Sequence, residues 1–261
     1  MEEKVFFKGK FGNICAILHT ANNTQNNQEK NKEKNNKEEL IIVLHGLGSN
    51  KNRGPKQTCE ILSEIGIDSL RIDFDNKGES DLDFSTQLNI PNYVLQVEAA
   101  IQFAKRKKYK HISLIGTSFG GIIALATALK HSEIKRILLR APVLDWQERL
   151  ENKFGKKKLE EFKQKGSIIH PDLEQDFIYN YDCYESAKGY SMFENASKIK
   201  QPLLILQGDA DTDIYPATAK KVAPLFPNAI LHIIKGGSHK LDVNGDFSEG
   251  HKLIKEFFKR D

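Results

Sequence analysis

Short apolar runs alternate with longer amphipathic stretches along most of the chain. Val5-Phe6-Phe7 and Ile14-Cys15-Ala16-Ile17-Leu18 are strand-like. Joined by a turn at Gly12-Asn13, they predict an antiparallel hairpin over residues 2–8 and 14–19 at a sheet edge. Leu40-Ile41-Ile42-Val43-Leu44 is an unbroken aliphatic run, the pattern of a strand covered on both faces. Further strands are predicted at 68–72, 111–115, 135–139, 202–206 and 229–234. Between them, residues 56–65, 91–105, 119–130, 216–223 and 248–259 read as helices. Val94, Val97, Ala100, Ile101 and Ala104 form one apolar stripe behind Pro91, a residue suited to a first helical turn. Strands alternating with helices predict an α/β fold, with a mostly parallel central sheet and helices on both faces.

Two stretches break the alternation. Residues 21–39 are Asn, Gln, Lys and Glu with almost nothing apolar, so burial cannot offset the cost of ordering them. They predict a polar flexible loop. Residues 143–200 are charged and aromatic-rich without a clean period, and they predict a small cap or lid inserted over the sheet. The core then comprises 1–142 and 201–261. Trp146, Phe154, Phe162, Phe177, Tyr179, Tyr181, Tyr184, Tyr190 and Phe193 lie in the insertion. Most are expected to hold it to the sheet, with some lining an apolar pocket.

Composition narrows the class. A chain of 261 residues, 39% hydrophobic, can bury one large core. The net charge of +4 is mild and sits in clusters such as Lys105-Arg106-Lys107-Lys108, which argues against a nucleic-acid partner. The 3 cysteines are widely spaced and make no metal-binding pattern, as expected of reduced thiols. The N-terminal residues lack the apolar region of a signal peptide, and no run approaches the roughly 18 residues of a membrane span. A cytoplasmic protein is expected; a homodimer stays open.

The candidate chemistry lies just past the strand ends, where ligands bind in open parallel sheets. Gly116-Thr117-Ser118-Phe119-Gly120-Gly121 joins strand 111–115 to the following helix. A turn this sharp admits only very small side chains at 116 and 120, strains the apex and makes Ser118 stand out at a helix N-terminus. That suits a nucleophile. A serine hydroxyl needs a base, and the base needs an orienting group. His239 follows the last strand in a glycine-rich loop, and Asp209, Asp211 and Asp213 follow strand 202–206. The Phe119 N–H is placed to hold the oxyanion formed on acyl attack. His232 reads as structural or surface, and His251 as exposed on the final helix.

His45-Gly46-Leu47-Gly48, Asp73 to Ser80, Gly116 to Gly121, Gly208-Asp209-Ala210-Asp211 and Gly237-Ser238-His239 together resemble the α/β-hydrolase fold. Within it, the chain is similar to small bacterial cinnamoyl/feruloyl esterase-like and monoacylglycerol-lipase-like enzymes. The resemblance implies a serine esterase in which Asp211 is the acid and the Leu47 N–H is the second oxyanion donor. It also implies that His45, Asp73 and Glu79 are structural, and that the substrate is a small-molecule ester cleaved without metal or organic cofactor. A thioesterase or small-peptide hydrolase would use the same residues. A non-catalytic ligand-binding protein on this fold is the remaining alternative.

Overall fold

The apolar runs become the inner strands of one sheet in a computed structural model that describes residues 1–21, 37–169 and 177–259. The chain begins with β1 (Glu2–Gly9), β2 (Gly12–His19), β3 (Lys37–Leu44), α1 (Gly54–Glu64), β4 (Asp68–Ile72) and α2 (Phe84–Gln87). Next come α3 (Ile90–Arg106), β5 (Tyr109–Thr117), α4 (Phe119–Ala128) and β6 (Ile134–Arg140). Then follow α5 (Trp146–Lys165), β7 (Ser167–Ile169), β8 (Ile178–Asn180), α6 (Asp182–Glu185) and α7 (Met192–Asn195). The chain closes with β9 (Leu203–Gly208), α8 (Pro216–Val222), β10 (Ala229–Ile234) and α9 (Ser248–Lys259).

Eight of these strands form the main sheet in the order β1-β2-β4-β3-β5-β6-β9-β10. Only β2 runs against the rest; β1, antiparallel to β2, shares the direction of the parallel strands. The period-two rule assigns the strand residues to two layers. Leu40, Ile42 and Leu44 face the layer of α3 and α4, whereas Ile41 and Val43 face α1 and α9. Each fully buried aliphatic side chain stabilises by about 1.5–3 kcal/mol, so this double cover fixes the register. The sheet is the α/β-hydrolase architecture expected from the motifs. No helix among the described residues is long and apolar enough to cross a membrane.

The structure corrects several expectations. The first turn is at Lys10–Phe11, because Gly12 already pairs with Gly9. The predicted loop 21–39 lies mostly outside the described residues, but its end is the start of β3. Lys37 and Glu39 pair with Tyr109 and His111, and the Glu39 carboxylate is held by Arg136 at 2.6 Å. A charged strand start is tolerated because its charge is paired. In the stretch without a period, α5 runs for 20 residues and is kinked at Gly155 (φ 70°, ψ 164°). Only Trp146, Leu150 and Phe162 of α5 are buried, too thin a stripe to stand out among its charges. His251 is half-buried and stacked on Phe247, and its Nε2 has no partner among the described residues.

The three cysteines are free and buried. Burial pushes each thiol up, Cys59 to about 11.

Candidate active site

The carboxyl ends of β3, β5, β9 and β10 converge, and each carries one of the residues singled out in the sequence. Between β5 and α4, Ser118 holds φ 54° and ψ −119°, a strained conformation for a residue with a Cβ. Its neighbours enforce it. A Cβ on Gly116 would lie 2.4 Å from the Gly120 carbonyl oxygen, and one on Gly120 would lie 2.6 Å from that of His45. The Ser118 N–H donates to the Arg140 carbonyl at 2.9 Å, tying the turn to the end of β6.

The loop after β3 leans on this turn. A Cβ on Gly46 would meet Ser118 Cβ at 3.3 Å. His45 is buried beneath it. Its Nε2 accepts from the Phe74 N–H at 3.1 Å and its Nδ1 donates to the Gly46 carbonyl at 2.7 Å, so the ring is neutral with its proton on Nδ1. Neither the Leu47 nor the Phe119 N–H meets an acceptor among the described residues.

Past β9 the chain again passes close to its neighbour. A Cβ on Gly208 would lie 2.1 Å from the Gly237 carbonyl oxygen. This close approach brings the two loops together, and His239 Nδ1 lies 2.9 Å from Asp211 Oδ2. Asp211 Oδ1 accepts the N–H groups of Asp213 and Ile214, each at 2.9 Å. Burial pushes the Asp211 carboxyl up, but the His239 ring and these two N–H groups outweigh it and hold the group below the usual carboxylate range. Asp209 instead accepts the Gly236 N–H at 2.6 Å, and His232 bonds Glu249 at 2.7 Å. No hydrogen bond joins Ser118 to His239 among the described residues.

Two cavities meet at Ser118, His239 and Leu47. The first, about 390 Å³, is walled by Phe119, Val143, Trp146, Leu150, Tyr179 and Ile214, with Arg149, Lys153 and Asp213 at its charged points. Of the aromatic residues in 143–200, only Trp146 and Tyr179 line it. Others pack edge-to-face on one another, as Phe162 does on Tyr181 with centroids 5.2 Å apart. The second, about 490 Å³, includes Arg53, Gly54, Pro55, Arg140, Lys240 and Phe247. Arg140 was missed in the sequence, where a lone arginine closing an aliphatic strand carries no signal of its own.

Asp73 and Glu79 anchor loops, as expected. With Cys15 they bring three ligand-type atoms within 4.8 Å of one another. The buried Lys51 ammonium already serves both carboxylates, at 2.6 Å and 2.8 Å.

The family model described as serine aminopeptidase, S33, matches residues 35–183. The chain belongs to this hydrolase family. The matched span of the S33 chain contains Leu47, Ser118 and Phe119 and stops before Asp211 and His239. The "probable alcohol acetyltransferase" of Cyberlindnera fabianii is 32% identical over 110 residues, covering 40% of this chain and 28% of that protein. The chain thus spans only about a quarter of the length of that relative. A Mycoplasma pneumoniae protein provisionally named esterase/lipase 2 is 25% identical over 258 residues, covering 84% of this chain and 92% of that one. In fold, the chain is similar to Est1E from Butyrivibrio proteoclasticus with ferulic acid bound. That likeness has a TM-score of 0.81 and 21% identity over 98% of each chain.

Proposed function

We propose that the protein is a serine hydrolase that cleaves carboxylic esters through an acyl-enzyme. The observation that carries this reading is that a strained serine at a helix N-terminus shares one cleft with a histidine whose other ring nitrogen lies 2.9 Å from Asp211. Ser118 Oγ attacks the carbonyl carbon, and His239 Nε2 takes its proton and returns it to the leaving alcohol. Asp211 keeps the His239 proton on Nδ1 and stabilises the imidazolium. The Leu47 and Phe119 N–H groups, without acceptors among the described residues, receive the oxyanion. Water then cleaves the acyl-enzyme. The Ser118–His239 hydrogen bond forms as substrate closes the cleft, since such bonds are often long without ligand. Residues 143–200 act as the cap, with Trp146 and Tyr179 forming the apolar wall for an acyl or aryl group.

The family description includes peptides, but an aminopeptidase must bind an ammonium group. Among the described residues the cleft's charged lining is basic apart from Asp213, which favours the ester reading. The Cyberlindnera relative's name supports a second acceptor, an alcohol in place of water.

The test is hydrolysis of 4-nitrophenyl esters of graded acyl length, beside amino-acid 4-nitroanilides. Ser118→Ala should lower kcat at least about 10³-fold, and Asp211→Asn should also lower it by orders of magnitude. Asp213→Asn should have a mild effect. Equal turnover by wild type and Ser118→Ala would overturn the nucleophile. Activity on anilides alone would overturn the ester.

A further inference from the structure

The mechanism above uses the walls of the first cavity and leaves the second without a role. Among the described residues its charged lining consists of Arg53, Arg140 and Lys240 beside His239, with no Asp or Glu. Arg53 and Lys240 are exposed at the mouth, while Arg140 is only 8% exposed. A guanidinium has five N–H donors and no acceptor. Arg140 Nη1 donates to Thr58 Oγ1 at 2.9 Å and Nη2 to the Lys240 carbonyl at 3.4 Å. Its Nε is buried with no partner among the described residues. Both acceptors it does have are neutral.

The contrast with the other buried cations is sharp. Lys51 is paired with Asp73, Arg71 with Glu2 and Arg136 with Glu39. Among the described residues, Arg140 alone of these has no carboxylate partner. Burial pulls it down to about 10, which still leaves it charged at neutral pH. Burying a cation without a counter-charge is costly, so an anion entering this cavity would offset a cost the fold already bears.

A second observation points the same way. The first turn of α1 opens on this cavity at Arg53, Gly54 and Pro55. The 11-residue helix has no side-chain N-cap and no acidic residue in its first turn. Its positive dipole end is thus left uncompensated beside the guanidinium.

We propose that the second cavity is an anion subsite, in which Arg140, with Arg53 and Lys240 at the mouth, receives a carboxylate or phosphate group carried by the substrate. The guanidinium fork matches either group. A substrate spanning both cavities presents its apolar part to Trp146 and Tyr179 and its anionic part to Arg140, with the scissile carbonyl at Ser118. The substrate class is then an acidic ester. The anion site itself stands on Arg140, and only the bond that is cleaved rests on the ester reading.

The test compares matched esters. Mono-4-nitrophenyl succinate against 4-nitrophenyl butyrate places the charge on the acyl side. 4-Acetoxybenzoate against its methyl ester places it on the alcohol side. In wild type, kcat/KM should favour the charged member of at least one pair by about tenfold or more, as expected of a charge-assisted hydrogen bond. Arg140→Gln should bring that ratio near one, and Arg140→Lys should restore part of it. A wild-type ratio near one in both pairs, or one unchanged in Arg140→Gln, overturns the proposal. Should Arg140→Gln not fold, a ratio unchanged in Arg53→Gln/Lys240→Gln does the same.

Inorganic phosphate and benzoate are compared as competitive inhibitors at fixed ionic strength. Inhibition by one of them supports the subsite and identifies the group it prefers, and inhibition by neither counts against it. Phosphate binding to Ser118→Ala, read by thermal shift, separates the two claims. Arg140-dependent binding with no ester cleaved by wild type keeps the subsite and removes the ester reading. Ester cleavage without anion binding does the reverse.

Discussion

Ser118 is one of the residues at which the fold stores strain. A conformation such as φ 54°, ψ −119° costs about 1–3 kcal/mol for a residue with a Cβ. Ser118→Gly should therefore be more stable than Ser118→Ala by about 1 kcal/mol, after the greater unfolded-state entropy of glycine is set against the relief. Urea unfolding of the two variants measures this, and equal midpoints would mean that the turn is relaxed. This residue was legible in the sequence because steric exclusion acts on neighbours: only glycine fits at 116 and 120 once the chain turns there. Asp211 was legible only through the family spacing, since three aspartates share its loop. The structure separates them by their partners, giving Asp211 the imidazole and Asp209 a backbone N–H. Arg140 was not legible, because one arginine at a strand end reads the same whether water or a cavity receives it.

At the scale of elements, β3 shows how a strand extends beyond its apolar run. Glu39 is tied to Arg136 of β6 across β5, and Ser113 of β5 also donates to it. Burial pushes the Glu39 carboxyl up, but Arg136 and Ser113 outweigh it and leave it below the usual range. A folded value below the unfolded one contributes stability that is present above about pH 4.3 and is lost as pH falls through the folded value. Glu39→Gln should cost about 3 kcal/mol at pH 7, the order expected when a buried pair is broken. The gap in urea midpoint between the two proteins should close toward pH 3. A gap constant from pH 7 to pH 3 would refute the coupling. Elements with strong periods, such as α3 and β4, were readable to within a residue or two. The helix α5 was not, because its charged faces conceal a stripe of three buried residues and Gly155 interrupts its phase.

At the scale of the whole molecule, the sheet topology brings together groups far apart in sequence. Ser118, Asp211 and His239 arrive from three strand ends, and the close approach of Gly208 to Gly237 sets two of them side by side. That order was readable because parallel strands all deliver their carboxyl ends to one edge. The cleft walls were not, because residues 143–200 pack by mutual aromatic contacts that leave no period. The buried thiols lie at different places in this assembly. Cys59 lies on α1 and is enclosed against the sheet, whereas Cys183 is buried in α6 within the proposed cap. A raised, inaccessible thiol reacts only when its surroundings open, so alkylation becomes a clock for local breathing. With single-cysteine variants, Cys183 should be alkylated faster than Cys59, and a slow-turnover substrate analogue should retard Cys183 alone. Identical rates at both sites would mean that cap and sheet open as one cooperative unit.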